Sequence, residues 1–293
     1  MFKLIENELI KIFKRKNIYI LLIIGLVIIL CQNIYCKLLN SDYDITYLYE
    51  QAYKQDLLKL EQYDNLLKKE NYSDIEDRVK LEKYALENNI KYNILLNSNN
   101  TNLPVDARIA LMRFFNNFDI IIIFIVIYVA TTILSEEYNK GTIKNLLTKP
   151  HKRVSIILSK IITCILIVII ITILIIIFQY LIGGAIFGFD SYSLEAIRIN
   201  QETKEIETMN LYKYMLLISI DKIQMYIIIT LIGVLISTIT NNISINILIL
   251  LGIYVASKMM EVTIQPIVVT TICGIVIFLL TFIIFSKKDI KNT

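Results

Sequence analysis

The stretch Val154–Ile182, VSIILSKIITCILIVIIITILIIIFQYLI, is nearly all Ile, Leu and Val and is broken only at its far end by Gly183, Gly184 and Gly188. A bilayer's hydrocarbon core, about 30 Å thick, needs about 20 mostly apolar residues in a helix. The run therefore predicts a transmembrane helix, and the composition around it agrees: 293 residues, 56% hydrophobic, mean hydropathy +0.60, no Trp and one His. The fold class expected is an all-α integral membrane protein. Richness in Ile, Lys and Asn resembles the composition of an AT-rich bacterial genome, and the location expected is a bacterial cell membrane.

Working outward, similar runs predict six transmembrane helices: 18–36, 118–134, 154–182 and three more within 223–285. Residues 1–17 carry Phe2, Ile5, Leu9, Ile12 and Phe13 on one helical face, with Lys3, Lys11, Lys14, Arg15 and Lys16 spread around the other. That pattern predicts an interfacial helix. The apolar run after it is long and no small-x-small cleavage pattern follows, so it is expected to stay as the first span.

Residues 37–117 hold 11 basic and 13 acidic residues and no run able to cross a bilayer. Leu and Tyr recur at helical spacing from Asp42 to Lys69, and Ser73 with Glu76 forms a capping box for a helix to about Leu96. A helical hairpin domain is expected there. Residues 183–222 form a second polar loop, with an amphipathic approach helix from Leu211. Lys and Arg number five in the amino-terminal segment, six from Ser135 through Lys160 and three in the tail 286–293, whereas each large loop is net acidic by two. The positive-inside rule then puts both termini in the cytoplasm and both large loops outside.

Between the second and third spans lies the loop 135–153, with Lys160 just beyond it. Gly141 permits a sharp turn, Thr142 can cap a short helix, and Ile143, Leu146 and Leu147 fall on one face of it before Pro150 ends it. Two amphipathic turns are too short to be stable alone in water, so the apolar face needs lipid or a partner protein. The series Glu136, Glu137, Gly141, Thr142, Leu146, Leu147, Pro150, Arg153 and Lys160 resembles the cytoplasmic loop of the ABC-2 family, the permease subunits of type-2 ABC exporters.

The resemblance implies that this loop is a coupling helix docking on a separate cytoplasmic ABC ATPase subunit. Its docking set would be Glu136, Glu137, Gly141, Thr142, Ile143, Leu146, Leu147, Pro150 and Arg153. Glu136 and Glu137 would present charge to the ATPase, Leu146 and Leu147 would fill its cleft, and Gly141 with Pro150 would set the helix angle. The resemblance also implies a second permease subunit, identical or related, with ATP and Mg held by the ATPase and no cofactor in this chain. Membrane lipid is a further partner, and no nucleic acid is expected.

Residues able to carry catalysis are few. His151 is the only histidine, and the one Gly-x-x-x-x-Gly spacing, Gly183 to Gly188, is followed by Phe189 and Asp190 where a phosphate loop has Lys and Ser or Thr. Neither an enzyme nor a self-contained ATPase is expected. Cys31, Cys36, Cys164 and Cys273 all fall in apolar runs and are expected as buried thiols with no metal spacing.

The low charge density in the spans suits a hydrophobic or amphipathic cargo better than a small hydrated ion. Antimicrobial peptides are the leading candidate by family analogy. The rival from another class is a membrane-anchored sensor or binding protein whose outer hairpin recognises a ligand; a sensor has no need of Gly141-Thr142 followed by an amphipathic helix.

Overall fold

A computed structural model describes residues 1–39, 50–51, 53–58, 72–88, 106–142, 153–189, 195–199, 205–259 and 267–287. The elements are α1 (Phe2–Phe13), α2 (Lys16–Leu39), α3 (Tyr72–Glu87), α4 (Ala107–Asn117), α5 (Ile120–Asn139), α6 (Arg153–Phe187), β1 (Glu195–Ile199), β2 (Ile206–Asn210), α7 (Leu211–Ile239), α8 (Ile243–Met259) and α9 (Ile267–Lys287). Among the described residues four helices are long and apolar enough to cross a membrane: α2, α5, α6 and α7. The apolar stretches Ile243–Ala256 of α8 and Ile272–Phe285 of α9 are shorter.

The chain divides into two compact units, which are taken in turn. The first comprises Met1–Leu26, Asp119–Ile175 and Ser219–Thr293. Its buried helix is α5: of its most apolar 18 residues 78% are inside the protein, against 28% for α2. Small residues let α7 approach it, since a Cβ on Gly233 would lie 2.7 Å from Ala130 Cβ. Threonines inside the helices satisfy themselves locally. Thr131 and Thr132 donate to the carbonyls of Ile127 at 2.8 Å and Tyr128 at 2.7 Å, and Thr163 donates to Ser159 O at 2.7 Å. Back-bonding of this kind lets a hydroxyl sit in an apolar helix without an unpaired donor.

Outward faces of this unit are apolar. Tyr19, Ile20 and Ile23 on α2, Leu248 on α8 and Ile275 on α9 are all at least half exposed. Continuous apolar exposure of this kind marks a surface meant for something other than water.

The second unit comprises Val27–Phe118 and Ile176–Ile218. Here β1 and β2 pair antiparallel, from Glu195 opposite Asn210 to Ile199 opposite Ile206. Ile197 packs on Leu81 and Ala85 of α3, with Tyr84, Ile199 and Ile206 around them. Asp106 caps α4 by accepting from the amides of Arg108 and Ile109, each at 2.9 Å, and the same carboxylate pairs with the Arg108 guanidinium. Ile109, Ala110 and Met112 of α4 pack on Leu211. Between α2 and α6, Asn33 Nδ2 donates to Gln179 Oε1 at 3.1 Å, and Gln179 Nε2 donates to Ala110 O at 3.1 Å.

Several sequence expectations are revised. The loop expected over 183–222 contains a β-ribbon, the one sheet among the described residues. The approach helix from Leu211 and the fourth span are one continuous helix, α7. Ser73 falls inside α3 and not at its cap, and most of the expected hairpin, including Leu96, lies outside the described residues. Cys36 and Cys164 are buried as expected, but Cys31 and Cys273 are exposed.

Candidate functional site: an ionic ring at the ends of the connecting segment

The residues singled out from sequence begin at the carboxyl end of α5. Lys140 closes the helix and Gly141 follows at φ 65, the left-handed conformation that ends helices and that glycine adopts without a Cβ penalty. Gly141 N–H donates to Tyr138 O at 3.1 Å. The Thr142 hydroxyl donates back to Glu137 O at 3.4 Å, and Thr142 is itself helical after the turn at Lys140 and Gly141. Ile143, Leu146, Leu147, Pro150 and His151 lie outside the described residues. Arg153 opens α6 and is exposed.

The two glutamates before the turn behave differently. Glu136 is partly exposed and pairs with Arg15 at 3.3 Å and Lys140 at 3.1 Å. Glu137 is buried and turned inward. Its Oε1 accepts from Lys11 Nζ at 2.9 Å, and its Oε2 lies 2.8 Å from Lys160 Nζ. Glu8 repeats the arrangement, with Oε1 2.7 Å from Lys11 Nζ and Oε2 2.9 Å from Lys160 Nζ.

The four side chains thus close a ring in which each carboxylate bridges both ammonium groups. Its charge sums to zero, which is what makes a buried ionic site tolerable. Lys160, with a side chain 1% exposed, also reaches Ile133 O at 3.4 Å. The charge that Glu137 was expected to present to a docking partner is therefore neutralised within the chain. Its carboxylate holds α1 and α6.

Burial by itself would raise the Glu8 carboxyl, but the charge of Lys160 and the hydrogen bonds from Lys11 and Lys160 outweigh it and hold Glu8 below the usual glutamate value. Burial likewise opposes the Lys11 ammonium, and its bonds and charge contacts with Glu8 and Glu137 overcome that, raising Lys11 above the usual lysine value. Both groups stay ionised at neutral pH. Arg15 adds an outer brace, its Nη1 donating to Thr132 Oγ1 at 2.7 Å.

Mechanically, the ring clamps the two ends of the segment 141–152. Glu137 stands just before it and Lys160 two turns into α6 after it, and they touch directly. Neither end can move alone without breaking the buried Glu137–Lys160 pair. Glu8 and Lys11 escaped the sequence reading. The available signal was an acid and a base three residues apart on the inward side of an amphipathic helix.

A family model described as "ABC-2 family transporter protein" matches residues 2–269. The chain belongs to that family. It is a multi-pass membrane protein and a permease subunit of an ABC transporter. No curated protein and no solved structure shows a significant match to the chain.

A second polar site lies at the other end of α5. Asp119 is buried, accepting from Lys222 Nζ on α7 at 2.9 Å and from the Tyr254 hydroxyl on α8 at 2.9 Å. Asp119 and Lys222 thus pair across 103 residues of chain. Gln179 is buried and hydrogen-bonded in the second unit, and Tyr226 is buried in the first.

Proposed function

We propose that this chain is the permease of a bacterial exporter that moves a hydrophobic or amphipathic substrate, with antimicrobial peptides the leading class, driven by a separate cytoplasmic ATPase subunit. Six spans with both termini inside put the segment 135–153 on the ATP side of the membrane. Ile143, Leu146 and Leu147 fill a cleft in the ATPase, flanked by Glu136, Thr142 and Arg153, with Gly141 and Pro150 setting the angle. A second permease subunit completes the path, and ATP with Mg is bound by the partner ATPase.

The observation that carries this reading is the ionic ring. A merely connecting loop has no use for a closed ring of four charges, three of them buried, joining its two ends, whereas a segment that must deliver force to two helices at once does. The direct test is purification of the full chain from its native membrane in mild detergent, with and without Leu146→Asp and Leu147→Asp. An ATPase subunit that accompanies the parent chain and is lost from the variant is the expected result. A well-folded parent chain that brings no ATPase, or brings a signalling protein in its place, overturns the assignment.

A further inference from the structure

Helix α1 turns charge as well as apolar surface toward the protein: Glu8 and Ile12 are buried, and Lys11 and Arg15 grip Glu137 and Glu136. The side turned away is apolar, with Phe2 90%, Ile10 45% and Phe13 41% exposed and Ile5 and Leu9 half-buried beside them. Phe2 and Phe13 are three helical turns apart and so lie on one line. In water this arrangement would expose aromatic rings and bury charges, both unfavourable; in a membrane interface it is the favourable one.

Lys3 on α1, Lys14 at its C-cap and Lys16 at the start of α2 are exposed and make no ion pair among the described residues. Glu6 is the one exposed acid on this helix, which leaves the outward side with a clear cationic excess. A neutral bilayer surface would need the apolar stripe alone. Three unpaired lysines on and just after α1 fit anionic headgroups, to which each basic residue near the surface adds attraction.

We propose that the outward side of α1 selects anionic phospholipid, its aromatic residues entering the acyl boundary while Lys3, Lys14 and Lys16 hold the headgroups. The opposite side of the same helix is locked in the ring with Glu137 and Lys160. The lipid contact and the two ends of the coupling segment therefore share one rigid element, and bilayer surface charge sets where that element sits. The proposal rests on the membrane reading above and adds the headgroup class.

The chain contains no Trp, so a single introduced Trp is an unambiguous reporter. Phe2→Trp, in the full chain reconstituted in vesicles, is read by quenching with lipids brominated near the headgroup end of the acyl chain. The vesicles are phosphatidylcholine with a fixed fraction of brominated phosphatidylglycerol or, for comparison, the same fraction of brominated phosphatidylcholine. The expected result is quenching by both lipids, stronger by about twofold or more with the anionic one, since each lysine near such a surface is worth roughly a fivefold enrichment.

Raising the salt concentration abolishes the preference while leaving the quenching, and so does Lys3→Gln with Lys14→Gln and Lys16→Gln. The salt arm stands if that variant does not fold. Equal quenching by the two lipids overturns the headgroup selection. Ile23→Trp, on the exposed face of α2, is the control. Quenching at position 23 without quenching at position 2 sinks this inference alone, whereas quenching at neither position sinks the membrane reading as well.

Discussion

The two ends of α5 are held by the same chemistry in different arrangements. At the carboxyl end, Glu137 shares Lys11 and Lys160 with Glu8, and Glu136 next to it has Arg15 and Lys140. At the amino end, Asp119 has one lysine, Lys222, and one phenol, Tyr254. Lys160 is deeply buried in the ring, whereas the Lys11 side chain is 49% exposed and the Lys222 side chain 20% exposed. The two ends therefore differ in closure and not in burial: each ring carboxylate contacts two ammonium groups, so loss of one leaves the other in place, whereas Asp119 pairs with the Lys222 ammonium and a neutral phenol. The carboxyl end of α5 is tied to α1 and α6 by a closed set of ion pairs, and its amino end to α7 and α8 by an open one.

Removing one charge at each end probes this contrast most strongly. Lys160→Met leaves Glu8 and Glu137 facing each other with Lys11 alone between them, and stranding a buried charge typically costs 3–5 kcal/mol, so a loss of about that size is expected. The readout is thermal unfolding of the detergent-solubilised chain. Adding Glu137→Gln to Lys160→Met restores neutrality and should recover part of the loss; no recovery would mean that packing, not charge, holds the site.

Asp119→Asn, isosteric and uncharged, is expected to cost about 1–3 kcal/mol in the same assay, because Lys222 can turn to solvent. A cost equal to that of Lys160→Met would erase the distinction between the two ends.

Acidity supplies the smallest and finest test. Glu8 titrates below its ordinary value in the folded chain, so its contribution is complete above the unfolded glutamate range and is lost as pH falls through the lowered folded value. Lys11 works in the other direction, its contribution being lost only as pH rises beyond the ordinary lysine range. The ring is therefore at full strength across neutral pH. Unfolding temperatures at pH 7 and near pH 4 should fall further in the parent chain than in Glu8→Gln, which is already neutral at that position. Equal falls would remove Glu8 from the acid-sensitive set.

Much of this was legible in the sequence. Runs of Ile, Leu and Val declared the long helices, and the series from Glu136 to Lys160 pointed to the family that the whole-chain match shows. The rest depended on distance along the chain. Glu8 and Lys11 meet partners 152 and 126 residues away, which no local pattern encodes. At α7 the charges Asp221 and Lys222 suggested a boundary, yet the helix runs through because Lys222 finds Asp119. The ribbon of β1 and β2 was missed because two five-residue strands leave a weaker trace than a helical repeat.

The separation between Glu8 and Lys160 also orders events during synthesis. When α1 leaves the ribosome Glu8 and Lys11 have only each other, and they gain Glu137 and Lys160 only after α5 and the first turns of α6 have been made. The last of the four charges to arrive, Lys160, completes the ring, so the site cannot close until the first half of the chain exists.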